Sequence, residues 1–168
     1  AMTEPMAVAL HAVRRSRIKN SEPAIVIGCG PVGLGIILML KAAGVKTVIA
    51  SDFSANRRKL AERCGADIVI NPAQNSPFEN WKELGLLGDA AEALNYGLGL
   101  FDKLQATGIP WWHAWRVADK LGALPKRPVI FECVGVPGIL QQIIDGAPLL
   151  SKIIGVGVCM QSDRIEPA

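Results

Sequence analysis

The chain has 168 residues, half of them hydrophobic, with 20% charged, 5% aromatic and a formal net charge of +3. That length is enough for one compact globular domain with a proper core, and the small charge excess asks for no polyanionic partner. No run of about 18 apolar residues is free of charge, Gly and Pro, and no basic-then-apolar pattern opens the sequence; neither membrane crossing nor export is expected, and a cytoplasmic setting is.

In chain order, a helix is predicted near residues 4–15, ending among Arg14, Arg15, Arg17 and Lys19. These cations read as a solvated helix end, where positive charge is favourable. No aromatic residue interleaves with them and no nucleic-acid motif appears, so nucleic acid is not an expected partner. Apolar runs predict strands at 24–28, 46–51, 67–70, 128–133 and 152–158, and helical spacing predicts helices near 32–43, 54–64 and 137–146. Gly44 and Gly65 stop the first two of these three helices. Strand and helix alternation with β-rich buried runs implies a doubly wound parallel sheet with right-handed crossovers, whose ligand belongs at the carboxyl ends of the strands.

The first strand runs into Gly28-Cys29-Gly30-Pro31-Val32-Gly33, a glycine loop that opens a helix. Gly28 permits the tight turn, Gly30 lets backbone approach a pyrophosphate, and Gly33 lets the helix pack on the sheet. Pro31 fits a first helical turn, where its missing amide costs nothing. The free amides and dipole of that turn favour an anion. Asp52 ends the second strand, about where a carboxylate meets an adenosine ribose. It accepts from both hydroxyls and repels a 2′-phosphate, so NAD is favoured over NADP. Arg57 and Arg58 work against that preference if they face the site, and otherwise read as solvated residues of the helix beginning near Ser54.

The four cysteines, Cys29, Cys64, Cys133 and Cys159, are far apart and lie in or beside apolar segments without C-x-x-C spacing. Reduced thiols are expected, with no zinc cluster and no activated nucleophile.

Residues 4–13, the glycine loop, Ser51-Asp52-Phe53-Ser54 and Cys64-Gly65-Ala66-Asp67 together resemble the zinc-dependent medium-chain alcohol and polyol dehydrogenases. Phe131-Glu132-Cys133-Val134-Gly135 and Gly155-Val156-Gly157-Val158 look like two further cofactor-facing strand ends of that family. The resemblance implies a Rossmann sheet of order 3-2-1-4-5. It places Val32 behind the nicotinamide ring and the backbone at Val156, Gly157 and Val158 against the carboxamide. Cys133, Val134 and Gly135 would line the dinucleotide cleft, with Phe53 against adenine and Arg57 nearby. Val134 and Val156 also fit plain core. Glu4, in the Glu-Pro pair that opens the helix, would lie beside a catalytic zinc, and reads equally well as an acid favouring a helix N-terminus. His11 matches a structural position.

Two departures qualify the resemblance. Family members carry a second, GroES-like catalytic domain with the principal zinc ligands and most of the alcohol pocket, and this sequence lacks its motifs. The expectation is therefore the NAD-binding domain of an alcohol or polyol dehydrogenase, spanning 1–168 and lacking a sixth strand, inactive alone, with zinc not tightly held. A bared 152–158 edge is then expected to self-associate or be covered by the tail, consistent with a homo-oligomer. The second departure is residues 72–127, read as a helical insert with a helix at 89–94, punctuation at Gly97, Gly99 and Gly108-Ile109-Pro110, and a Trp-rich helix from Trp111 to near Gly122. Trp111, Trp112 and Trp115 are expected to anchor the insert on the Rossmann body, with docking of another domain as the other reading. An S-adenosylmethionine methyltransferase and a noncatalytic NAD-sensing module are the alternative functions.

Overall fold

The computed structural model describes residues 2–79, 83–105, 110–120 and 124–166. Its elements in chain order are α1 (Thr3–Ser16), β1 (Ala24–Ile27), α2 (Pro31–Ala42), β2 (Val48–Ser51), α3 (Ala55–Arg63), β3 (Ile68–Ile70), α4 (Ala90–Gln105), α5 (Trp111–Lys120), β4 (Val129–Glu132), α6 (Ile139–Gly146) and β5 (Lys152–Gly155). The five strands form one parallel sheet in the order β3-β2-β1-β4-β5, as expected. The central strands β1, β2 and β4 are buried along their whole length, so they are apolar on both faces rather than alternating.

Each face has its own core. Val26, Val48, Ala50, Val129 and Phe131 pack under α1 and α2 with Ile36, Ile37 and Leu40. Ile25, Ile27, Ile49 and Ile130 pack on the other face with Phe78 and Ile143. α1 lies on α2 where Gly35 removes the side chain: a Cβ there would sit 3.1 Å from that of Ala9 and 3.3 Å from the Met6 sulfur. Ser54 caps α3 by accepting from the Arg57 amide, and α1 closes with Arg17 in the left-handed conformation.

Several expectations need correction. β5 ends at Gly155 rather than 158: the Glu132 carbonyl oxygen that accepts the last ladder bond, from the Val156 amide at 2.8 Å, also takes the Gly157 amide at 2.9 Å, and the chain turns out of the sheet there. Among the described residues the tail is hydrogen-bonded to the start of α6 rather than to β5: Asp163 accepts from the Gly138 amide and Gln141 accepts from that of Glu166. The described residues among 72–88 are not helical. They carry Phe78 and Leu86 onto the second core, both buried. The helix predicted at 89–94 continues as α4 through Gly97 and Gly99, so those glycines do not punctuate it. Gly108, Ile109 and Gly122 fall outside the described residues. The three tryptophans do not anchor the insert: Trp111, Trp112 and Trp115 are 60%, 50% and 44% exposed, and α5 packs on α4.

Phe131 is the largest fully buried side chain of the central sheet. Phe131→Ala is expected to cost about 3–5 kcal/mol, a large part of the stability of a small domain. Urea denaturation of the two proteins measures it.

Candidate functional site

Two buried carboxylates organise the carboxyl edge of the sheet, one on each side of β1. Asp52 follows β2, and its two oxygens accept from the Cys29 amide at 2.8 Å and the Ser54 amide at 2.7 Å. The glycine loop is thereby tied to the strand beside it. The Gly28 amide completes the tie by donating to the Ser51 carbonyl oxygen at 2.8 Å. Glu132 ends β4, and a single carboxylate oxygen accepts from the amides of Val134 and Gly135 at 2.7 and 2.8 Å. Both acids are under 9% exposed, and each spends its charge on backbone N–H groups that would otherwise lack partners.

The glycines are steric requirements. Gly28 has φ +92° and sits against Cys133 and Val134; Gly33 leaves no room for a Cβ, which would overlap the Gly28 carbonyl oxygen. Gly30 faces open space. Gly135, at φ +71°, abuts the backbone of Val158, and a Cβ on Gly157 would strike the Gly135 amide nitrogen.

Above this edge opens a cleft of about 610 Å³. Of the residues singled out in the sequence, Gly28, Gly30, Asp52, Phe53, Arg57, Cys133 and Val134 line it. Pro31, Val32, Gly33, Gly135, Val156, Gly157 and Val158 do not. Val32 and Val156 pack partly against the first core, Gly33 is buried behind the loop, and Val158 is exposed. The two arginines separate cleanly. Arg57 stands over the cleft with its guanidinium 3.8 Å from Asp52, whereas Arg58 donates to the carbonyl oxygens of Asp52 and Phe53 and braces the β2–α3 turn.

A cleft at the carboxyl edge of an order 3-2-1-4-5 sheet, entered by a glycine loop and an acid, has known counterparts. The zinc-binding dehydrogenase family matches residues 31–167. The chain belongs to that family. (R,R)-butanediol dehydrogenase of Bacillus subtilis is 30% identical over 167 residues, which cover 99% of this chain and 37% of that protein. Erythritol/L-threitol dehydrogenase of Mycolicibacterium smegmatis is 44% identical over 84 residues, half of this chain and 23% of the relative. Among solved structures, a protein described as a zinc-binding dehydrogenase from Sinorhizobium meliloti, bound to NADP, superposes with a TM-score of 0.65 at 25% identity over 98% of this chain and 38% of its own. The chain thus spans well under half the length of the relatives it matches.

As a member of that family, the chain invites two fit tests. The dinucleotide fits: the loop leaves space at Gly30, the first amides of α2 point out of the helix, and Asp52 borders the cleft. Zinc does not. Among the described residues, no group of three or more His, Cys, Asp or Glu is placed to hold a metal ion. Glu4 is exposed in the first turn of α1, next to Pro5, whose carbonyl oxygen lies 3.7 Å from the Cβ position of Gly35 on α2. It stands there without a ligand set.

Reading the sequence missed part of the cleft. Ser51, Pro72, Pro77, Phe78, Ile139 and Ile143 line its far end, and Glu132 props the loop above it. Phe78 lay inside the supposed insert, where nothing in the residue pattern ties it to the sheet. A buried acid inside an apolar run was the available signal for Glu132.

All four cysteines are free. Burial, with the Asp52 charge adding to it, pushes the Cys29 thiol up to about 12; burial and Glu132 do the same for Cys133. Both therefore remain protonated through the ordinary thiol range, while an unfolded chain ionises there. Folding stability should fall as pH rises above about 8.5, and less steeply in the Cys29→Ala/Cys133→Ala protein. Iodoacetamide at pH 8 should modify exposed Cys159 well before either.

Proposed function

We propose that this chain is the NAD-binding part of an alcohol or polyol dehydrogenase, moving hydride between an alcohol carbon and the cofactor. The observation that carries the reading is the Asp52 carboxylate holding the glycine-loop amide of Cys29 while bordering the cleft. The pyrophosphate belongs over Gly30 at the first turn of α2, where unpartnered amides and the helix dipole attract an anion. Asp52 keeps a second lone pair on each oxygen, enough to accept from ribose hydroxyls while the Cys29 and Ser54 amides occupy the others.

The same carboxylate opposes a 2′-phosphate at close range, and exposed Arg57 offsets part of that repulsion. NAD is accordingly the preferred cofactor and NADP the weaker one. Phe53, 72% exposed, offers a ring to the base. Val32 backs the nicotinamide ring, Val156, Gly157 and Val158 meet its carboxamide, and Cys133, Val134 and Gly135 wall the cleft. Pro31 and Gly33 shape the loop. A bound nicotinamide supplies the hydride acceptor, so an alcohol that loses hydride from carbon and a proton from oxygen becomes a carbonyl.

The zinc chemistry of the family is not assigned to any residue described, and Glu4 is proposed only as a carboxylate bordering such a site. The domain boundary at 1–168, the cytoplasmic setting, a homo-oligomeric whole protein and its alcohol or carbonyl substrate belong to the same proposal.

Calorimetric titration tests it: NADH binds, NADPH binds more weakly, and S-adenosylmethionine does not bind. Asp52→Asn should lower the ratio of NADPH to NADH dissociation constants on the order of tenfold, by removing the negative charge. Binding of S-adenosylmethionine in place of NADH would overturn the reading. The chain alone should reduce no NAD with alcohols such as butanediol or sorbitol, followed at 340 nm.

A further inference from the structure

The Ser51 hydroxyl is the one buried side-chain oxygen or nitrogen among the described residues with no hydrogen-bond partner. Ser51 is only 1% exposed, so water does not satisfy it freely, and an unpaired buried hydroxyl is costly. Its surroundings explain the lack of a partner. In the parallel register Ser51 stands beside Ile27 of β1 and Ile70 of β3, both apolar. Side chains alternate along a strand, so Ser51 faces the same side as Ile49, toward the core of Ile25, Ile27, Phe78 and Ile143. The Ser51 backbone is already engaged, its carbonyl oxygen accepting from the Gly28 amide.

Yet Ser51 also lines the cleft, at the end beyond Asp52. A dinucleotide with its pyrophosphate on the glycine loop and its ribose at Asp52 must carry its purine onward, away from the loop. The walls there are chiefly Pro72, Pro77, Phe78 and Ile143, which suit the faces of a base, and the polar Ser76 and Gln142 beside them are exposed. Ser51 is the polar side chain among them that is buried and without a hydrogen-bond partner. Buried polar groups without partners persist where a ligand completes them.

We propose that Ser51 is a base-reading residue, whose hydroxyl hydrogen-bonds the edge of the purine of a dinucleotide seated in this cleft. The inference rests on the nicotinamide-dinucleotide reading above. It assigns part of the affinity to the adenylate half, independently of the Asp52 charge. It also predicts opposite effects on the free and bound protein, because the hydroxyl is a burden until the base arrives.

The test compares the wild-type chain with Ser51→Ala and Ser51→Thr by calorimetry with NADH and with ADP-ribose, which lacks the nicotinamide, and by thermal melting without ligand. Ser51→Ala should weaken both ligands by about fivefold to tenfold. Ser51→Thr, which keeps the hydroxyl, should stay within about twofold of wild type. The ligand-free Ser51→Ala protein should melt at or above the wild-type temperature, which a structural serine would not do. Equal NADH affinity for wild type and Ser51→Ala overturns the inference alone, as does a loss confined to NADH with ADP-ribose unaffected. If the wild-type chain binds neither ligand, the dinucleotide reading fails and this inference with it.

Discussion

The structure turns on the contact between Gly28 and Gly33, where the α carbon of the second approaches the carbonyl oxygen of the first so closely that no side chain could intervene. That approach sets how tightly α2 can lie over the end of β1. Once α2 is down, its first turn faces the carboxyl edge of the sheet, and its outward amides become a feature of the cleft rather than of solvent. The positive φ at Gly28 is the local condition for it, since the turn off the strand must be sharp.

The two acids serve that same edge. A central strand of a parallel sheet ends with its neighbours in register, and the loops leaving it carry N–H groups into a half-buried region. Asp52 takes up those of Cys29 and Ser54, and Glu132 those of Val134 and Gly135. A carboxylate is suited to this because it accepts several charge-assisted hydrogen bonds at once. The loops around the cleft are thus held by side chains from within the sheet, which keeps the site preorganised. Cys29 and Cys133, wedged between those acids and the core, stay neutral chiefly because burial disfavours the thiolate, with the neighbouring carboxylate adding to it.

The second face of the sheet departs from a plain alternation of strand and helix. Between β3 and β4, an irregular segment brings Phe78 and Leu86 down onto the sheet, and only afterwards do α4 and α5 form. Phe78 also closes on Gly146, where a Cβ would come within 2.9 Å of its ring, so the far wall of the cleft is built from the segment and α6 together. Trp111 and Trp115 take no part in that wall; with Leu100 and Phe101 they border an apolar groove of about 290 Å³ on α4 and α5.

Sequence by itself determined a parallel, doubly wound sheet, because β-branched runs separated by helical spacing leave that arrangement as the consistent one, while the strand order came with the family resemblance. It also determined the glycine loop and Asp52, whose steric and charge requirements are local and survive in residue type alone. The endpoint of β5 was not legible, since Val156 and Gly157 look like strand, yet one carbonyl oxygen of β4 takes both amides and the chain turns out of the sheet there. Nor was the exposure of the tryptophans, because an amphipathic helix does not state what lies against its apolar face. Only the tertiary structure decided which half of the candidate residues meets in the cleft, what walls its far end, and that the Ser51 hydroxyl is left without a partner there. Those facts depend on register and on contacts between residues far apart in the chain, and neither is encoded in any one stretch of sequence.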